Sequence, residues 1–303
     1  MCRLLAYAGP PVFLDSLLVE PRASLIAQSM AARQARTAVN GDGSGVGWYG
    51  ERAEPGLYRS IVPAWSDANL VSLCRQIRSP LFMAHVRAAT SGEVSTANCH
   101  PFTDGRAIFT HNGQIGHYGR LRRTIEALIP DEIYHLRQGS TDSEAIFLAS
   151  RRQKCGRDPA EAIAATLADI TAIRDAAIAD LPTLRETRAG AREETVPGPC
   201  GTDDTGAIRF AAVHADGACL TAYRWADDGR PPSLYWRRHG DPAAPGTVIA
   251  SEPFDEFDDD WNLVPPSSVL TAWPDGRMTV RPFEPAVGRL RHGASIISAA
   301  ASA

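Results

Sequence analysis

The order of structural elements that the sequence predicts is typical of an α+β protein. Short apolar runs of strand length dominate up to residue 115, helical periodicity dominates between residues 120 and 178, and strand-like runs return after residue 208. Because strands and helices are grouped along the chain, we expect sheets that pack against helices. The chain has 303 residues, of which 44% are hydrophobic, so it can bury a large core without disulfides.

The N-terminal half contains predicted strands, one predicted helix and a glycine-rich loop. The strands are expected at residues 4–8, 79–89 and 107–110, the helix at residues 17–38, and the loop at residues 40–49. Pro21 fits best near the start of the helix, because proline lacks the N–H that an interior helical position needs. The loop is expected to lead directly into a further strand.

The C-terminal half begins with helices and ends with strands. Helical spacing predicts helices at residues 120–129, 142–152 and 159–178. Residues 182–206, rich in Arg, Glu, Thr, Gly and Pro, predict an exposed loop or insertion. Strands between turns are expected at residues 208–213, 219–225, 234–238, 248–251, 269–273 and 277–282. The tail at residues 293–303 is expected to be flexible, because small residues predominate there.

The charge balance argues against a nucleic-acid-binding protein. Lys and Arg total 31 against 35 Asp and Glu, a formal net charge of −4, whereas nucleic-acid-binding domains usually have a basic excess. No apolar run reaches the ~18 residues of a membrane span. The 6 cysteines are scattered without the spacing of a disulfide framework. We therefore expect a cytoplasmic protein with reduced thiols, with neither nucleic acid nor a membrane as partner.

The cysteine at position 2 is a candidate nucleophile because of its place in the chain. A small second residue permits removal of Met1, which would put a thiol and a free α-amine on the same residue. An α-amine with a pKa of about 7.7–8.0 can accept the thiol proton, so Cys2 would need no other base. The alternative is that a cysteine at this position is an accident of sequence.

Two later segments have the residue types that such a nucleophile requires. Asn112 and Gly113 follow a strand and could supply a side-chain amide and a backbone N–H to a developing oxyanion. The alternative for Asn-Gly is a hairpin turn, of which this dipeptide is the strongest short signal. Arg87 ends another strand, where its planar guanidinium suits a carboxylate. The alternative for Arg87 is an ordinary surface arginine.

A capping box is the simplest interpretation of residues 140–144. Ser140 or Thr141 would be the N-cap of a helix, and Glu144 would be its reciprocal partner. Asp142, between them, could also face an ammonium group.

Two further patterns resemble ligand-binding sites but lack the residues that such sites need. The glycine loop lacks the Gly-Lys-Ser/Thr ending of a phosphate-binding loop. The acidic run at residues 255–260 lacks EF-hand spacing and is interpreted as a solvated loop. We therefore expect neither a cofactor nor a metal.

Five motifs, in order along the chain, resemble the class II glutamine amidotransferases. They are Met-Cys-Arg-Leu at the start, His85-Val86-Arg87 with Thr90, Asn98-Cys99-His100-Pro101-Phe102, His111-Asn112-Gly113-Gln114-Ile115 and Ser140-Thr141-Asp142-Ser143-Glu144. Ala250-Ser251-Glu252-Pro253, Trp261 and Val264-Pro265 resemble the stand-alone branch of this family, which includes the γ-glutamyl hydrolase of ergothioneine synthesis. The resemblance implies the N-terminal nucleophile (Ntn) hydrolase fold, a four-layer αββα sandwich, as a single domain over residues 1–292.

The resemblance also implies a role for each matching residue. Cys2 would be the nucleophile with its own α-amine as base, and Asn112 and Gly113 would form the oxyanion hole. His100-Pro101 would be structural and would support its loop.

The remaining matches concern the substrate. Arg87 would hold the α-carboxylate of a γ-glutamyl group and Asp142 its α-ammonium, while Thr90 and Ser91 would line the same subsite. The family often has Trp and His where this chain has Ala88 and Ser91. This departure affects the outer part of the pocket.

These roles imply an amidohydrolase that cleaves the γ-glutamyl amide of glutamine or of a γ-glutamylated metabolite through a thioester, releasing glutamate. No synthase domain is recognisable after the motifs, which favours a stand-alone hydrolase of small γ-glutamyl substrates. Two alternatives stay open: a glutaminase subunit that supplies ammonia to a separate synthase chain, and a catalytically silent binding or regulatory protein of the same fold. Assembly as a homo-oligomer or with a synthase partner also stays open.

Overall fold

Two antiparallel β-sheets lie face to face at the centre of the structure, a computed structural model that describes residues 2–34, 39–89, 92–152, 158–179, 206–255 and 260–285. In chain order the strands are β1 (Arg3–Phe13), β2 (Ser44–Tyr49), β3 (Gly56–Ser60), β4 (Arg78–Val86), β5 (Phe102–Thr103), β6 (Ile108–Ile115), β7 (Ile208–Ala215), β8 (Leu220–Ala226), β9 (Tyr235–His239), β10 (Gly246–Ala250), β11 (Asn262–Leu263), β12 (Ser268–Ala272) and β13 (Met278–Pro282). The helices are α1 (Asp15–Leu18), α2 (Leu25–Met30), α3 (Ala68–Gln76), α4 (Tyr118–Glu126), α5 (Asp131–Tyr134), α6 (Asp142–Ser150) and α7 (Pro159–Ala179).

Each sheet combines strands from both ends of the chain. The first sheet has 7 strands in the order β11-β9-β10-β1-β4-β2-β3, and the second has 6 in the order β13-β12-β8-β7-β6-β5. In the first sheet β1 is central, and its residue Leu4 lies opposite His85 of β4. In the second sheet β6 pairs with β7 along its whole length.

Side-chain alternation along the central strands separates the core into layers. On β1, Leu4 and Ala6 pack against the second sheet, whereas Leu5 and Tyr7 pack against α1, α2 and α3. On β6, Phe109 packs beneath α6 and α7. The layers therefore run helix, sheet, sheet, helix, and the predicted α+β architecture of an αββα sandwich is confirmed.

The single helix expected at residues 17–38 is wrong, because α1 and α2 stand in its place. α1 ends at Leu18, and a turn that contains Pro21 separates it from α2. Ser24 caps the second helix by accepting a hydrogen bond from the N–H of Ala27 at 3.2 Å. The cap satisfies an N–H that a continuous helix would bond internally, so apolar periodicity alone does not reveal the break. Residues 35–38 lie outside the described residues.

The other expected elements are present, with shifted ends, and some elements were not expected. β1 continues beyond the predicted strand, through Gly9, to Phe13. β3 escapes prediction because it is an edge strand whose residues are all half-buried, which leaves no alternation to detect. Asp67 is the N-cap of α3, and its Oδ1 accepts the N–H groups of Asn69 and Leu70 at 3.1 Å.

Two expectations about flexible segments stay predictions. The loop at residues 182–206 lies outside the described residues except for Gly206, and the tail at residues 293–303 lies wholly outside them. Of the helices in the described part of the chain, none combines the length and apolarity that crossing a bilayer requires.

Candidate active site

Cys2 lies at the end of the first sheet where β1 begins and β4 ends. Its Sγ accepts a hydrogen bond from the N–H of Ala88 at 3.3 Å and lies 3.4 Å from the carbonyl oxygen of Ala88. The side chain is half-buried, so the sulfur is held in place and can still be reached. A backbone N–H at this distance is a suitable donor to a thiolate.

The side-chain amide of Asn112 points between the sheets, towards β4. Its Oδ1 lies 3.2 Å from Nε2 of His85, and both side chains are buried. Its Nδ2 is also buried and has no hydrogen-bond partner among the described residues. An unpaired buried donor costs ~1–3 kcal/mol, so such a group requires an explanation, and a catalytic role is one. The Asn112 amide therefore has donor capacity that no described residue uses.

Asn112 and Gly113 lie within β6, so the hairpin-turn alternative for this dipeptide is wrong. β6 continues to Ile115, and Gly113 lies opposite Phe210 of β7. Gly113 has a φ of +152°, and a β-carbon placed on it would overlap the carbonyl oxygen of Arg209. The close approach of the two backbones, and no turn, is what requires glycine here.

Arg87 is only 3% exposed, so the surface-arginine alternative is wrong. The glycine-rich loop holds its backbone: the N–H of Arg87 donates to the carbonyl of Gly43 at 2.8 Å, and its carbonyl accepts the N–H of Asp42 at 3.0 Å. The Asp42 carboxylate then accepts the N–H of Ala89 at 2.7 Å. At the other end of the residue, the Arg87 Nη1 donates to the carbonyl of Glu93 at 3.2 Å.

Asn98 joins the loop after Arg87 to the segment before α6, a role that the sequence does not reveal. Its Nδ2 donates to the carbonyl of Glu93 at 2.9 Å, and its Oδ1 accepts the N–H of Ser140 at 2.7 Å. A β-carbon on Gly92 would lie 2.9 Å from Ser140 Oγ and 3.8 Å from Nη2 of Arg87. The Arg87 guanidinium therefore lies close to the segment that leads to Asp142. The only sequence signal for Asn98 is its place in the motif before His100.

Asp142 is the first residue of α6, and backbone N–H groups orient its carboxylate. Oδ2 accepts the N–H of Ile115 at 2.9 Å, and Oδ1 accepts the N–H of Ser143 at 2.8 Å. These bonds hold the carboxylate in one orientation. Ser143 Oγ also lies 3.3 Å from Oδ1, so Oδ2 is the oxygen that keeps a lone pair for a cationic ligand. Thr90 and Ser91, the other residues assigned to this subsite, lie outside the described residues and stay predictions.

The capping box expected at residues 140–144 is only half formed. Thr141 is the N-cap and accepts the N–H of Glu144 at 3.3 Å. The Glu144 carboxylate does not complete the box. It accepts the N–H groups of Gln138 at 3.0 Å and Gly139 at 2.8 Å, and it pairs with Arg137. Glu144 therefore stabilises the turn that leads into Asp142.

The glycine loop and the acidic run have local structural roles. At Gly45 a β-carbon would overlap the carbonyl oxygen of His100, so tight packing requires this glycine. Asp255 pairs with Arg237 at 2.6 Å and accepts the indole N–H of Trp261 at 2.9 Å. The rest of the acidic run, residues 256–259, lies outside the described residues.

An ion pair beside the candidate nucleophile is a feature that the sequence analysis missed. Arg3 and Glu252 are each 1% exposed, and Nη1 of Arg3 lies 3.4 Å from Oε2 of Glu252. Burial lowers the pKa of Arg3, and the Glu252 carboxylate opposes that shift. Glu252 also accepts the backbone N–H groups of Arg33 at 2.9 Å and Gln34 at 2.8 Å. The signal was present in the motif that contains Glu252, which had no assigned role.

Because several histidines are buried, we expect the free energy of unfolding to fall in mild acid. Burial lowers the pKa of His85 to about 3 and of His214 to about 4, from an ordinary 6.5. Below pH 6.5 the unfolded chain therefore binds protons that the folded chain does not. Each of these histidines should lower the free energy of unfolding by up to ~1.4 kcal/mol per pH unit as the pH falls towards its folded pKa.

Urea unfolding at pH 7, 6 and 5 measures this slope, with the His214→Phe variant as comparison. Because the variant lacks one buried imidazole, its free energy of unfolding should depend less steeply on pH, by ~1.4 kcal/mol per unit. Equal free energies of unfolding at pH 7 and pH 5 in the unaltered protein would contradict the prediction.

The amino-acid sequence is similar to those of several known proteins. Residues 1–176 match the family model described as class-II glutamine amidotransferases. The chain is 32% identical over 298 residues to the probable glutamine amidotransferase DUG3 of Saccharomyces cerevisiae, covering 89% of this chain and 81% of that protein. It is 36% identical over 117 residues to the γ-glutamyl-hercynylcysteine sulfoxide hydrolase of Mycolicibacterium smegmatis, covering 38% of this chain and 52% of that protein.

Solved structures with the same architecture include close and distant sequences. A glutamine aminotransferase class-II domain protein from Silicibacter pomeroyi is 32% identical to this chain. The two structures superpose with a TM-score of 0.63, over 94% of this chain and 99% of that one. The glutamine phosphoribosylpyrophosphate amidotransferase of B. subtilis is 13% identical, with a TM-score of 0.58 over 93% of this chain and 49% of that one. The second likeness concerns the fold alone. The expected Ntn-hydrolase fold is confirmed.

Proposed function

Because this chain belongs to the class II glutamine amidotransferases, we propose that it cleaves γ-glutamyl amides through a nucleophilic Cys2 and a γ-glutamyl thioester. The substrate is glutamine or a γ-glutamylated metabolite, and the common product is glutamate. The observation that carries the proposal is the buried, unpartnered Nδ2 of Asn112, whose amide contacts the strand that pairs with the start of β1. The relative named γ-glutamyl-hercynylcysteine sulfoxide hydrolase supports a substrate in which the γ-glutamyl group is joined to a small amine.

In the proposed mechanism Cys2 supplies both nucleophile and base. After removal of Met1, the α-amine takes the thiol proton, and the sulfur adds to the γ-carbonyl carbon of the substrate while the π electrons move to oxygen. Nδ2–H of Asn112 and the N–H of Gly113 would donate to that oxygen. When the carbonyl re-forms, the C–N bond breaks and the leaving amine takes the proton from the α-ammonium.

Hydrolysis of the thioester completes the cycle. Water loses a proton to the α-amine of Cys2 and adds to the thioester carbon, and the same donors receive the second oxyanion. The C–S bond then breaks, the sulfur recovers its proton from the α-ammonium, and glutamate is released. No other side chain is needed as acid or base.

Arg87 follows β4 and Asp142 contacts the last residue of β6, and both are proposed to recognise the glutamyl group. The buried guanidinium of Arg87 would bind the α-carboxylate, and the oriented carboxylate of Asp142 would bind the α-ammonium. Thr90 and Ser91 would line the same subsite by resemblance. The contacts of Asn98 with Glu93 and Ser140 support this arrangement, because they link the segments that carry the two charged groups.

We also propose that residues 1–292 form a single domain. The later strands β7 to β13 complete both sheets that β1 to β6 begin, which supports one folding unit. The loop at residues 182–206 and the tail at residues 293–303 would then lie outside its core.

A screen for glutamate release tests the proposed function. Glutamine, glutathione and other γ-glutamyl amines are each incubated with the protein, and release is expected from at least one of them. N-acetylglutamine, which lacks the α-ammonium, and glutamine α-amide, which lacks the α-carboxylate, should resist cleavage. Failure of every γ-glutamyl compound to release glutamate would contradict the proposal. Release only when a synthase chain is added would favour the ammonia-supplying alternative.

Arg87→Lys should weaken recognition of the glutamyl group. Lysine keeps the charge and loses the planar two-pronged contact, so kcat/KM is expected to fall by about 10- to 100-fold, the equivalent of ~1.5–3 kcal/mol for a bond to a charged group. Arg106→Lys, at an exposed turn, is the matched control and should leave kcat/KM unchanged. Equal kcat/KM values in the two variants would refute the role of Arg87.

A further inference from the structure

The amide of Asn112 must adopt one of two orientations, and only one presents an N–H to an oxyanion. The C=O and NH₂ ends of the group are similar in size, so packing alone scarcely distinguishes them. In the flipped orientation Oδ1 would face the developing negative charge and repel it. The function of Asn112 therefore depends on a neighbour that distinguishes the two ends chemically.

His85 is that neighbour. Its Nε2 lies 3.2 Å from Oδ1 of Asn112. Because an amide oxygen only accepts hydrogen bonds, this orientation of the amide requires the tautomer with the hydrogen on Nε2. The other ring nitrogen, Nδ1, is buried and has no partner among the described residues. The contact with Asn112 is therefore the one polar contact of this ring within the described part of the chain.

The imidazole of His85 packs against the ring of a second buried histidine. Its centroid lies 4.1 Å from that of the buried His100 ring, which in turn contacts Phe102 at 4.5 Å, edge to face. Burial also lowers the pKa of His85 to about 3, so at neutral pH the ring is uncharged and has a single N–H. A fixed ring with one hydrogen is suited to select one end of the amide.

We propose that His85 is a positioning residue, whose Nε2–H holds Oδ1 of Asn112 and thereby directs Nδ2–H towards the γ-carbonyl oxygen of the substrate. This inference rests on the proposed function. His85 touches no substrate atom in this scheme and transfers no proton. Because the oxyanion exists only around the transition state, loss of the His85 imidazole should lower kcat and leave KM nearly unchanged.

His85→Phe and His100→Phe form a matched pair of variants. Both replace a buried imidazole with a benzene ring, but only His85 loses a hydrogen bond, because neither ring nitrogen of His100 has a partner among the described residues. We expect His85→Phe to lower kcat by about 10- to 100-fold, somewhat less than deletion of an oxyanion donor, with KM within about threefold. His100→Phe should keep kcat close to that of the unaltered protein, because the benzene ring retains the packing contact with His85. His85→Gln, which restores an N–H donor, should recover much of the loss.

Alkylation of Cys2 by iodoacetamide separates positioning from general damage. The alkylation forms no oxyanion, so its rate should be the same in His85→Phe and in the unaltered protein. Equal kcat values for His85→Phe and His100→Phe would overturn the proposal. A fall in alkylation rate that matches the fall in kcat would also overturn it, since the defect would then lie at the nucleophile.

NMR of isotope-labelled histidine rings in the full chain tests the contact without any variant that has to fold. The His85 ring is expected to carry its hydrogen on Nε2, and a hydrogen on Nδ1 would overturn the proposal. This measurement requires no activity, so it is separable from failure of the proposed function. Absence of glutamate release from every γ-glutamyl amine would refute the function while the tautomer still reported on the His85–Asn112 contact.

Discussion

Cys2→Ala is expected to abolish hydrolysis of γ-glutamyl amides, with kcat falling by a factor on the order of 10⁴ or more. Alanine at position 2 still permits removal of Met1, so the α-amine remains and only the sulfur is lost. Among the described residues, the hydrogen-bond partners of the thiol are the backbone groups of Ala88, and Cys2 is half-buried, so the variant should fold and unfold like the unaltered protein. Glutamate release and urea unfolding, measured together, check both parts of this expectation.

Cys219→Ala is the matched control, because Cys219 is also half-buried and its thiol lies 4.0 Å from Thr221 Oγ1. It should retain full activity. Intact mass of both variants and of the unaltered protein establishes whether Met1 is removed. Glutamate release by Cys2→Ala at the rate of the control would eliminate Cys2 as nucleophile. Full activity with Met1 still attached would eliminate its α-amine as the base.

Glu252→Gln is expected to lower the free energy of unfolding by ~3–5 kcal/mol, because it leaves a buried charge without its carboxylate partner. Arg3 and Glu252 are each 1% exposed, so water cannot solvate the Arg3 guanidinium once the carboxylate is lost. The carboxylate also accepts the N–H groups of Arg33 and Gln34, and the amide of glutamine offers only one oxygen for both. Urea unfolding at pH 7 measures the change.

Glu284→Gln is the control, because Glu284 is exposed and its substitution should change stability by no more than about 0.5 kcal/mol. A double variant, Arg3→Met with Glu252→Leu, sharpens the test. Since it removes both charges and leaves apolar groups of similar length, it should be more stable than Glu252→Gln alone. The argument fails if Glu252→Gln is as stable as Glu284→Gln, or if the double variant is the least stable of the set.

Local patterns in the sequence anticipate the faces of the central strands well. On β4, alternation places His85 on the face that carries Met83, and Met83 packs towards the second sheet. On β6, the same rule places Asn112 on the face opposite Phe109, which packs beneath the helices. Alternation does not predict which residue each side chain contacts, because that depends on how the two sheets stack.

Predictions from the sequence are wrong where a local signal has two physical meanings. Asn112-Gly113 is a hairpin signal, yet Gly113 is needed because its backbone lies against that of Arg209 in a neighbouring strand. Pro21 fits the start of a helix, yet it occupies a turn before a second helix capped by Ser24. The contact that requires Gly113 involves a distant strand, whereas the helix break is a local cap that apolar periodicity does not register.

The sequence by itself determined the grouping of strands and helices, the family motifs and the identity of the candidate catalytic residues. Those properties depend on residue type and short-range spacing, which the chain carries in every conformation. The tertiary structure alone decided that His85 meets Asn112, 27 residues away, and that Arg3 meets Glu252, 249 residues away. Such contacts arise from strand register and sheet stacking, and these are set by burial of the whole core.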